Sequence, residues 1–293
     1  MISKSQSTPC VGMVMLQYNR YDLTCLALDA IKKIVYDNMV VILVDNGSED
    51  NSLEKLKKKY GDWIVYEESN HRISYCEAYN LGFKKALSLG AKYVHLTHND
   101  SYDYSSNYLD EIVKAFESDV SIALVGTRVM SPEGHIDWGG ENRAKFGIDM
   151  DTPTCGYAIS KNSLEKVGYL DETLGVYFED LDYLKRLRDE GFRTQYVDSV
   201  SYVHMGSGTI IRTNYDFHFL RMRNIFWFFK KHGRDYSMSL KFRSIFGLGW
   251  KYHLSFFFAA LKKGLIFKAA FILYANLKGS IVGILFPYKK SRC

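Results

Sequence analysis

The sequence contains little proline and little cysteine, and both shortages limit the kind of protein it encodes. Four prolines in 293 residues leave no proline-rich linker between domains. The five cysteines are scattered and include no CxxC pair, which excludes a zinc ribbon and a thioredoxin-like motif and disfavours a disulfide framework. Residues 1–9 are polar and lack the apolar core of a signal peptide, so we expect a protein of the reducing cytoplasm.

Motifs of several enzyme classes are also missing. No GxGxxG follows the first predicted strand, which disfavours a nicotinamide-binding domain, and residues 206–209 match that pattern only in part. The P-loop pattern GxxxxGK[ST], the nucleophile elbow GxSxG and the zinc motif HExxH are absent. The sequence therefore gives no support to a dehydrogenase, a P-loop NTPase, an α/β-hydrolase or a zinc protease.

What the chain does contain is an uneven distribution of charge. With 47% hydrophobic and 24% charged residues it has the composition of a globular protein, and its net charge is only +5. Residues 211–293, however, hold 16 basic and two acidic residues, a net charge of +14, which leaves −9 for residues 1–210. The last 83 residues also hold 20 of the 44 aromatic residues. We therefore predict two domains, an acidic body over 1–210 and a basic, aromatic tail over 211–293.

Short apolar segments rich in β-branched residues alternate with longer amphipathic segments along the first 126 residues. We predict strands at 11–16, 40–44, 63–66, 93–96 and 122–125, and helices at 22–34, 51–60, 74–89 and 107–117. Nearly continuous apolar strands are typical of a parallel sheet that helices cover on both faces. The alternating order therefore predicts an α/β fold with a doubly wound, mostly parallel sheet.

Polar residues follow four of these strands, at the edge where such sheets bind ligands. The clusters lie at 17–20, 45–50, 67–70 and 98–100. Turn formation or helix capping explains any single cluster as well as a site does, but four clusters at equivalent strand ends favour a site. In the last cluster Asp100 could ligate Mg²⁺ or Mn²⁺, although an Asx turn would use the same residue.

A second acidic cluster, Glu179, Asp180 and Asp182, begins a predicted helix over 179–190. The helix dipole stabilises acids in the first turn, and this explains their presence without any catalytic role. Helical spacing places Glu179 and Asp182 on one face and Asp180 on another. Two of the acids could therefore orient the helix while Asp180 enters a site.

Four motifs together make the chain recognisable. Residues 156–192 resemble the second half of family 2 glycosyltransferases. Residues 14–20 resemble the first strand of that family and its polar end, 44–50 its VDNGSxD motif, and 78–82 its AxNxG motif. The resemblance covers residues 11–210, and within the family the chain looks like the bacterial rhamnosyltransferase-like inverting enzymes. It implies a GT-A fold, which is a Rossmann-like and mostly parallel sheet flanked by helices, here with a C-terminal helical extension.

The resemblance also implies roles for individual residues. Asp45 would bind the nucleobase, with Gln17 and Asn19 in the same pocket, and Asp180 would be the general base that deprotonates the acceptor hydroxyl. The loop over 128–152 would help to choose the acceptor. The residues that we expect to bind substrate are Gln17, Asn19, Arg20, Asp45, Asn70, Asn80, Asn99, Trp138 and Glu179.

A divalent cation, Mg²⁺ or Mn²⁺, is implied in the same way. Asp100 stands where the last Asp of the family's metal-binding DxD element belongs. His204, which follows a predicted strand at 200–204, would face the diphosphate or complete the metal shell. The first acid of the DxD element is missing from His98-Asn99-Asp100, which lowers the expected metal affinity.

The implied reaction is inverting transfer of one sugar from a nucleotide-diphosphate sugar, UDP- or dTDP-linked, to a glycan or polyprenyl-linked acceptor in surface polysaccharide synthesis. A nucleotidyltransferase is an alternative, but it would need a basic, glycine-rich loop after the first strand, and residues 17–20 do not form one. A catalytically inactive module that binds nucleotides or glycans is the alternative from another class. The intact pair of Glu179 and Asp180 argues against it.

The tail combines a predicted amphipathic helix at 214–232 with an aromatic-rich segment over 240–288. Lysines interrupt its apolar stretches before they reach 18 residues, so we expect no spanning helix. Basic charge beside Phe, Trp and Leu suits helices that lie in the interface of an anionic bilayer. Nucleic-acid binding or a homodimer contact would use a similar composition. We predict that the tail binds the membrane, so that the protein is peripheral on its inner face, and that it binds no nucleic acid.

Overall fold

The computed structural model describes residues 8–138, 155–206 and 215–288. Within these residues the chain divides into two compact units. The first contains residues 8–138, 155–170 and 184–206, and the second contains residues 171–183 and 215–288. The domain boundary at residue 210 stays a prediction, while residues 171–183 belong to the same unit as the tail helices.

The described residues of the first unit form one sheet of nine strands. Its strands are β1 (Val11–Gln17), β2 (Met39–Asp45), β3 (Ile64–Glu68), β4 (Tyr93–Thr97), β5 (Ser101–Tyr102), β6 (Ile122–Met130), β7 (Ile136–Trp138), β8 (Tyr157–Ser160) and β9 (Arg193–His204). They are arranged in the order β3-β2-β1-β4-β8-β6-β9-β5, and β7 pairs with β6. All strands run in one direction except β5, β7 and β8. The predicted mixed α/β architecture with a mostly parallel sheet is confirmed.

Helices connect the strands of the first unit. They are α1 (Tyr21–Ile31), α2 (Ser52–Tyr60), α3 (Tyr75–Ser88), α4 (Tyr108–Ser118) and α5 (Lys161–Val167). The next helix, α6 (Glu179–Asp189), contributes residues to both units. The five strands and four helices predicted within the first 126 residues are all present, with ends that lie within five residues of the predicted ones.

Two glycines allow α3 to lie directly on β1. A Cβ on Gly82 would overlap the side chains of Val14 and Val44, and a Cβ on Gly12 would come within 2.6 Å of the Cβ of Ala86. A larger side chain at either position would push the helix off the sheet. Close packing thus explains why the last residue of the AxNxG motif, Gly82, is a glycine, and no contact with a substrate is needed to explain it.

Three short antiparallel strands were not predicted. β5 has two residues, β7 has three and β8 has four, which is too short for a recognisable alternation of apolar and polar residues. β9 is longer than predicted and begins at Arg193 instead of residue 200. Its pairing with β5 positions part of the site described below.

The second unit is helical. Its helices are α7 (Tyr215–His232), α8 (Met238–Ser244), α9 (Tyr252–Lys262) and α10 (Ile266–Leu285), and a π-helical segment, Ile245–Lys251, joins α8 to α9. The amphipathic helix predicted at 214–232 is confirmed as α7. α10 packs along α7 because two of its glycines face that helix: a Cβ on Gly279 would lie 3.0 Å from the Cβ of Met222, and one on Gly283 would lie 2.8 Å from that of Phe226.

Candidate active site

Hydrogen bonds tie together the loops that follow β1 and β2. The N–H of Asn19 donates to Ser48 Oγ at 2.8 Å, and Asn19 Oδ1 accepts from the N–H of Glu49 at 2.9 Å. The carboxylate of Asp45 accepts from the N–H of Ser48 at 2.9 Å and from its hydroxyl at 2.6 Å. Asn19 and the exposed Arg20 have φ angles of 53° and 62°, a conformation that costs a non-glycine residue about 1–3 kcal/mol. The two predicted clusters therefore form one built structure.

The loop after β3 joins them. Gly47 has a φ of 70°, and a Cβ there would lie 2.7 Å from the backbone N of Arg72 and 2.7 Å from the carbonyl carbon of His71. The guanidinium of Arg72 lies over the ring of Tyr18, 4.6 Å from its centroid. Asn70 is exposed in the same loop. Three of the four polar clusters thus meet at one edge of the sheet, as the fold predicts.

Buried side-chain amides form hydrogen bonds next to these loops. Gln17 Nε2 donates to Ser52 Oγ at 3.0 Å, and Gln17 Oε1 accepts from the hydroxyl of Thr24. Asn99 Nδ2 donates to the same hydroxyl oxygen at 3.2 Å. Gln17 and Asn99 are buried, so these bonds give both side chains a structural role. Their predicted contact with substrate stays a prediction.

Two further predicted residues lie elsewhere in the chain. Asn80, on α3, is buried and exchanges two hydrogen bonds with the backbone of Leu170, at 2.9 Å and 3.0 Å. Its amide therefore fixes the chain next to α5. Trp138 ends β7, where its backbone pairs with that of Val129. Residues 139–152, most of the predicted acceptor loop, lie outside the described residues.

Three potential metal ligands lie close together in the first unit. The pairing of β5 with β9 sets Ser101 opposite His204, and this brings Asp100 Oδ1 to 3.2 Å from His204 Nε2 although the residues are far apart in the sequence. One ligand atom from each of His98, Asp100 and His204 lies within 4.8 Å of the other two. His98 was not predicted as a ligand. The sequence feature that could have identified it is its position two residues before Asp100, where the DxD element has its first acid.

The chemistry of this group fits a divalent cation. His204 Nδ1 is buried and makes no hydrogen bond of normal geometry within the described residues, although the thiol of Cys155 lies beside it. Burial lowers the pKa of His204, but the carboxylate of Asp100 and the Cys155 thiol raise it by more, to about 10. The surroundings therefore favour a positive charge at this imidazole, which a cation would supply in place of the proton.

In the second unit, α7 holds both ends of the segment 171–183, which carries Glu179 and Asp180. Lys231 Nζ lies 2.6 Å from Asp171 Oδ2 and 2.6 Å from Asp182 Oδ1. His232 Nε2 lies 2.8 Å from that same oxygen of Asp182. Both carboxylates are buried, so removing their shared ammonium would leave an excess of negative charge in the interior.

The middle of this segment is held by Asn224. Its Nδ2 lies within hydrogen-bond distance of the carbonyl oxygens of Leu174, Val176 and Tyr177, at 2.8, 2.9 and 2.8 Å. The neighbouring Arg223 donates from Nε to Asn224 Oδ1 at 2.8 Å, so the nitrogen of the amide faces the segment. The two N–H groups of one side chain of α7 are thus shared among three backbone carbonyls of residues 174–177, which precede α6 and lie in no helix or strand.

The chain turns sharply just before α6. Tyr177 and Phe178 have φ angles of 70° and 71°, and each non-glycine residue in this region costs about 1–3 kcal/mol. Phe178 and Leu181 are buried against Ile225, Phe228 and Phe229 of α7. Burial of these rings and the bonds from Asn224 offset the cost, so the first turn of α6 is held in one orientation.

The three acids at the start of α6 differ in exposure. Asp182 is fully buried, Glu179 is buried, and Asp180 is half-buried with one oxygen accepting from the N–H of Leu181 at 2.8 Å. Burial raises the pKa of Glu179 well above its usual range, and the negative charge of Asp180 raises it further. These surroundings therefore favour the protonated, neutral form of Glu179. Asp180 is the acid of the three that the fold leaves accessible.

The family is decided by a match over more than half of the chain. The sequence profile of Glycosyl transferase family 2 matches residues 13–174. The chain belongs to this family. It is therefore a glycosyltransferase, as its motifs predicted. No curated protein matches the chain at a significant level.

Solved glycosyltransferases of other origins share its fold. The mannosyltransferase PcManGT from Pyrobaculum calidifontis, in complex with GDP-Man and Mn²⁺, has a TM-score of 0.60 and 16% identity, over 95% of this chain and 88% of that one. S. aureus TarS 1–349 with UDP-GlcNAc has a TM-score of 0.52 and 15% identity, over 74% and 65%. GalNAc-T7 with UDP, GalNAc and Mn²⁺ has a TM-score of 0.58 and 13% identity, over 82% and 54%. At these identities the likeness shows the fold alone, which is the predicted GT-A fold.

Glu179→Gln should become more stable than the wild type as the pH rises. Glu179 keeps its proton in the folded state above the pH at which an unfolded Glu loses it, so folding is penalised by up to about 1.4 kcal/mol for each pH unit above about 4.3. Glutamine removes this penalty. Urea denaturation between pH 5 and 8 measures the difference, with Glu190→Gln at an exposed position after α6 as the control. Equal pH trends in the two variants would show that Glu179 is ionised in the folded enzyme.

Lys231→Met should destabilise the enzyme far more than Lys230→Met on the same helix. The first change removes the ammonium group that two buried carboxylates share, of which Asp182 keeps its contact with His232, and we expect the free energy of unfolding to fall by about 3–5 kcal/mol. The second removes exposed hydrogen bonds to the carbonyls of Ile284 and Phe286 and should cost less than about 1.5 kcal/mol. Adding Asp182→Asn to Lys231→Met should restore part of the loss, because it removes one of the two buried negative charges near the lost ammonium group. Equal losses in the two lysine variants, measured by chemical denaturation, would contradict this account.

Proposed function

We propose that the enzyme inverts the anomeric centre as it transfers one hexosyl or deoxyhexosyl group from a nucleotide-diphosphate sugar to a glycan or polyprenyl-linked acceptor. The observation that carries the proposal is the half-buried carboxylate of Asp180 between two buried acids. A single displacement needs one base, which takes the proton of the acceptor hydroxyl. A retaining glycosidase would need two cooperating carboxylates instead. Synthesis of a surface polysaccharide is the pathway that we predict for this reaction.

The first unit supplies the donor site in this proposal. The carboxylate of Asp45 accepts two hydrogen bonds from Ser48 and retains further lone pairs, which suit the ring N–H of a pyrimidine base. UDP- and dTDP-sugars carry such a base. Asn19, Arg20 and Asn70 lie on the loops around it. The solved relatives bind GDP-Man and UDP-GlcNAc, so a nucleotide-sugar donor is in keeping with their chemistry.

The cation belongs to the same proposal. His98, Asp100 and His204 would hold it. A divalent cation neutralises the charge that develops on a leaving diphosphate. With two imidazoles among the three ligands, the group suits Mn²⁺ better than Mg²⁺, which prefers oxygen ligands and dehydrates reluctantly. PcManGT and GalNAc-T7 were both solved with Mn²⁺.

Asp180→Asn should lower kcat by about 10²–10⁴-fold and leave donor binding unchanged, because the amide keeps the shape of the side chain but cannot accept the proton. Asp189→Asn, at the exposed end of the same helix, is the matched control and should retain its activity. Donor binding is measured by calorimetry with a panel of UDP-, dTDP- and GDP-sugars, and the anomeric configuration of the product by NMR. Retained turnover in Asp180→Asn would remove this residue as the base. Retention of configuration would overturn the inverting mechanism.

His204→Ala should weaken Mn²⁺ binding by at least about tenfold, because it removes one of three protein ligands. His135→Ala, which removes an exposed imidazole from the same unit, should have no effect. Calorimetric titration of the chelator-treated enzyme with MnCl₂ and MgCl₂ gives the two affinities without any need for activity. Equal Mn²⁺ affinity in both variants would show that the cation, if bound, lies elsewhere.

A further inference from the structure

Large hydrophobic side chains are exposed mainly in the tail. Among the described residues 21 large hydrophobic side chains are exposed, and 15 of these lie between residues 238 and 286. Seven of them share one side of α10, and we call this side the apolar face of α10: Phe267, Phe271, Tyr274, Leu277, Ile281, Ile284 and Leu285. Phe267 is 94% exposed. A continuous exposed face of this kind marks an interaction surface.

The opposite side of α10 is already occupied. Gly279 and Gly283 face α7 at backbone contact distance, where a Cβ on Gly283 would lie 2.9 Å from the carbonyl oxygen of Arg223. Lys230 of α7 donates to the carbonyls of Ile284 and Phe286, at 2.8 and 2.7 Å, where α10 ends. α10 is therefore fixed along α7, and its apolar face is the side that remains for a partner.

By length and composition α10 could cross a membrane, since it has 20 residues and a mean hydropathy of 1.3. Its packing argues against a crossing. α7 lies against it and carries Arg221, Arg223, Lys230 and Lys231, so a spanning α10 would either leave α7 or take these charges into the hydrocarbon. Each charge would cost about 2.5–3.5 kcal/mol at the bilayer centre. The packed arrangement instead suits a helix that lies in the plane of the interface.

The charge around the apolar face identifies its partner. Residues 236–293 contain ten basic residues and no acidic residue. Lys262, Lys263 and Lys268 are exposed around the turn from α9 to α10. Lys278 lies within the apolar face, with Nζ 5.7 Å from the ring centroids of Tyr215 and Tyr274. A second copy of the chain would bring like charges together, whereas the headgroups of anionic lipids attract each lysine near the surface.

We propose that the apolar face of α10 and the lysines beside it bind the surface of an anionic lipid bilayer, with α10 lying parallel to the membrane. The aromatic and aliphatic side chains would enter the boundary between headgroups and acyl chains, while the lysine ammonium groups remain among the phosphates. This inference goes beyond the proposed transfer reaction and does not rest on it. The cytoplasmic leaflet, which is rich in anionic lipid, is the surface that we predict.

Vesicle flotation of the full chain tests the apolar part of the surface. We expect binding to phosphatidylcholine vesicles that contain about one third phosphatidylglycerol, and weak binding to phosphatidylcholine alone. The variant with Phe267→Ser, Phe271→Ser and Ile281→Ser should lose at least about tenfold of its partition coefficient. The matched control changes three exposed residues of the first unit, Leu26→Ser, Leu89→Ser and Val120→Ser, and should bind as the wild type does. Thermal unfolding confirms that each variant is folded.

A second set of variants tests the charge. Lys262→Gln, Lys263→Gln and Lys268→Gln together should weaken binding to the anionic vesicles by at least about tenfold and leave binding to neutral vesicles unchanged. Lys58→Gln, Lys114→Gln and Lys161→Gln change the net charge by the same amount at exposed positions of the first unit and should have little effect. Raising the salt concentration from about 0.1 M to about 0.5 M should weaken the wild-type interaction in the same direction.

Four outcomes would overturn the proposal. Two concern the vesicles: equal binding to neutral and anionic vesicles, and flotation of the serine variant at the wild-type level. The third is that alkaline carbonate fails to extract the bound protein, which would indicate a spanning helix. The fourth is a dimer that forms without lipid and that the serine substitutions dissociate. None of these measurements uses a donor sugar. Failure of the membrane proposal and failure of the transferase proposal can therefore be told apart.

Discussion

The ammonium group of Lys231 is the interaction on which the arrangement of the second unit depends. It lies 2.6 Å from the carboxylates of Asp171 and Asp182, and so joins the two ends of the segment that carries the Glu179–Asp180 pair. Between these anchors the chain passes through left-handed conformations at Tyr177 and Phe178, which the residues themselves disfavour. Tertiary contacts to α7, rather than local preference, therefore determine where the first turn of α6 begins. The position of Asp180 is a property of the tail helix as much as of its own motif.

The same contacts explain how three acids within four residues can serve different purposes. Like charges at this spacing repel each other, and burial adds a desolvation cost for each charged form. The fold meets this problem in three ways: Asp182 is paired with Lys231 and His232, burial raises the pKa of Glu179 and so favours its neutral form, and Asp180 stays half-buried. The helix dipole, which explains acids at a helix start in general, would not distinguish among them. Their environments do.

The sequence predicted the parallel strands and their helices because these elements are long enough to show a period, and it predicted Asp100 and Asp180 because strand ends and helix starts can be located from that period. It did not predict β5, whose two residues show no pattern, nor therefore the pairing that brings His204 to Asp100. His98 was missed because its imidazole does not resemble the acid that the DxD element has in its place. Residue type also cannot show which way an amide faces, so the two hydrogen bonds of Asn80 to Leu170 were not predicted, and its contact with substrate stays a prediction.

The basic residues of the tail fall into two groups with different surroundings, which the net charge of the tail does not distinguish. Arg223 and Lys231 of α7 are used within the second unit, where they bond to Asn224 and to buried carboxylates around the segment 171–183. The lysines of α9 and α10 have no such acids within residues 236–293, and several of them are exposed beside apolar side chains. A protein that only needed solubility would place its lysines among polar residues, because exposed Phe and Ile favour association. Lysine next to exposed Phe instead suits a surface that enters a lipid bilayer, because the bilayer is apolar inside and its headgroups are anionic. The charge of α7 therefore stabilises the segment 171–183, and the charge beyond residue 236 is the part that the membrane proposal explains.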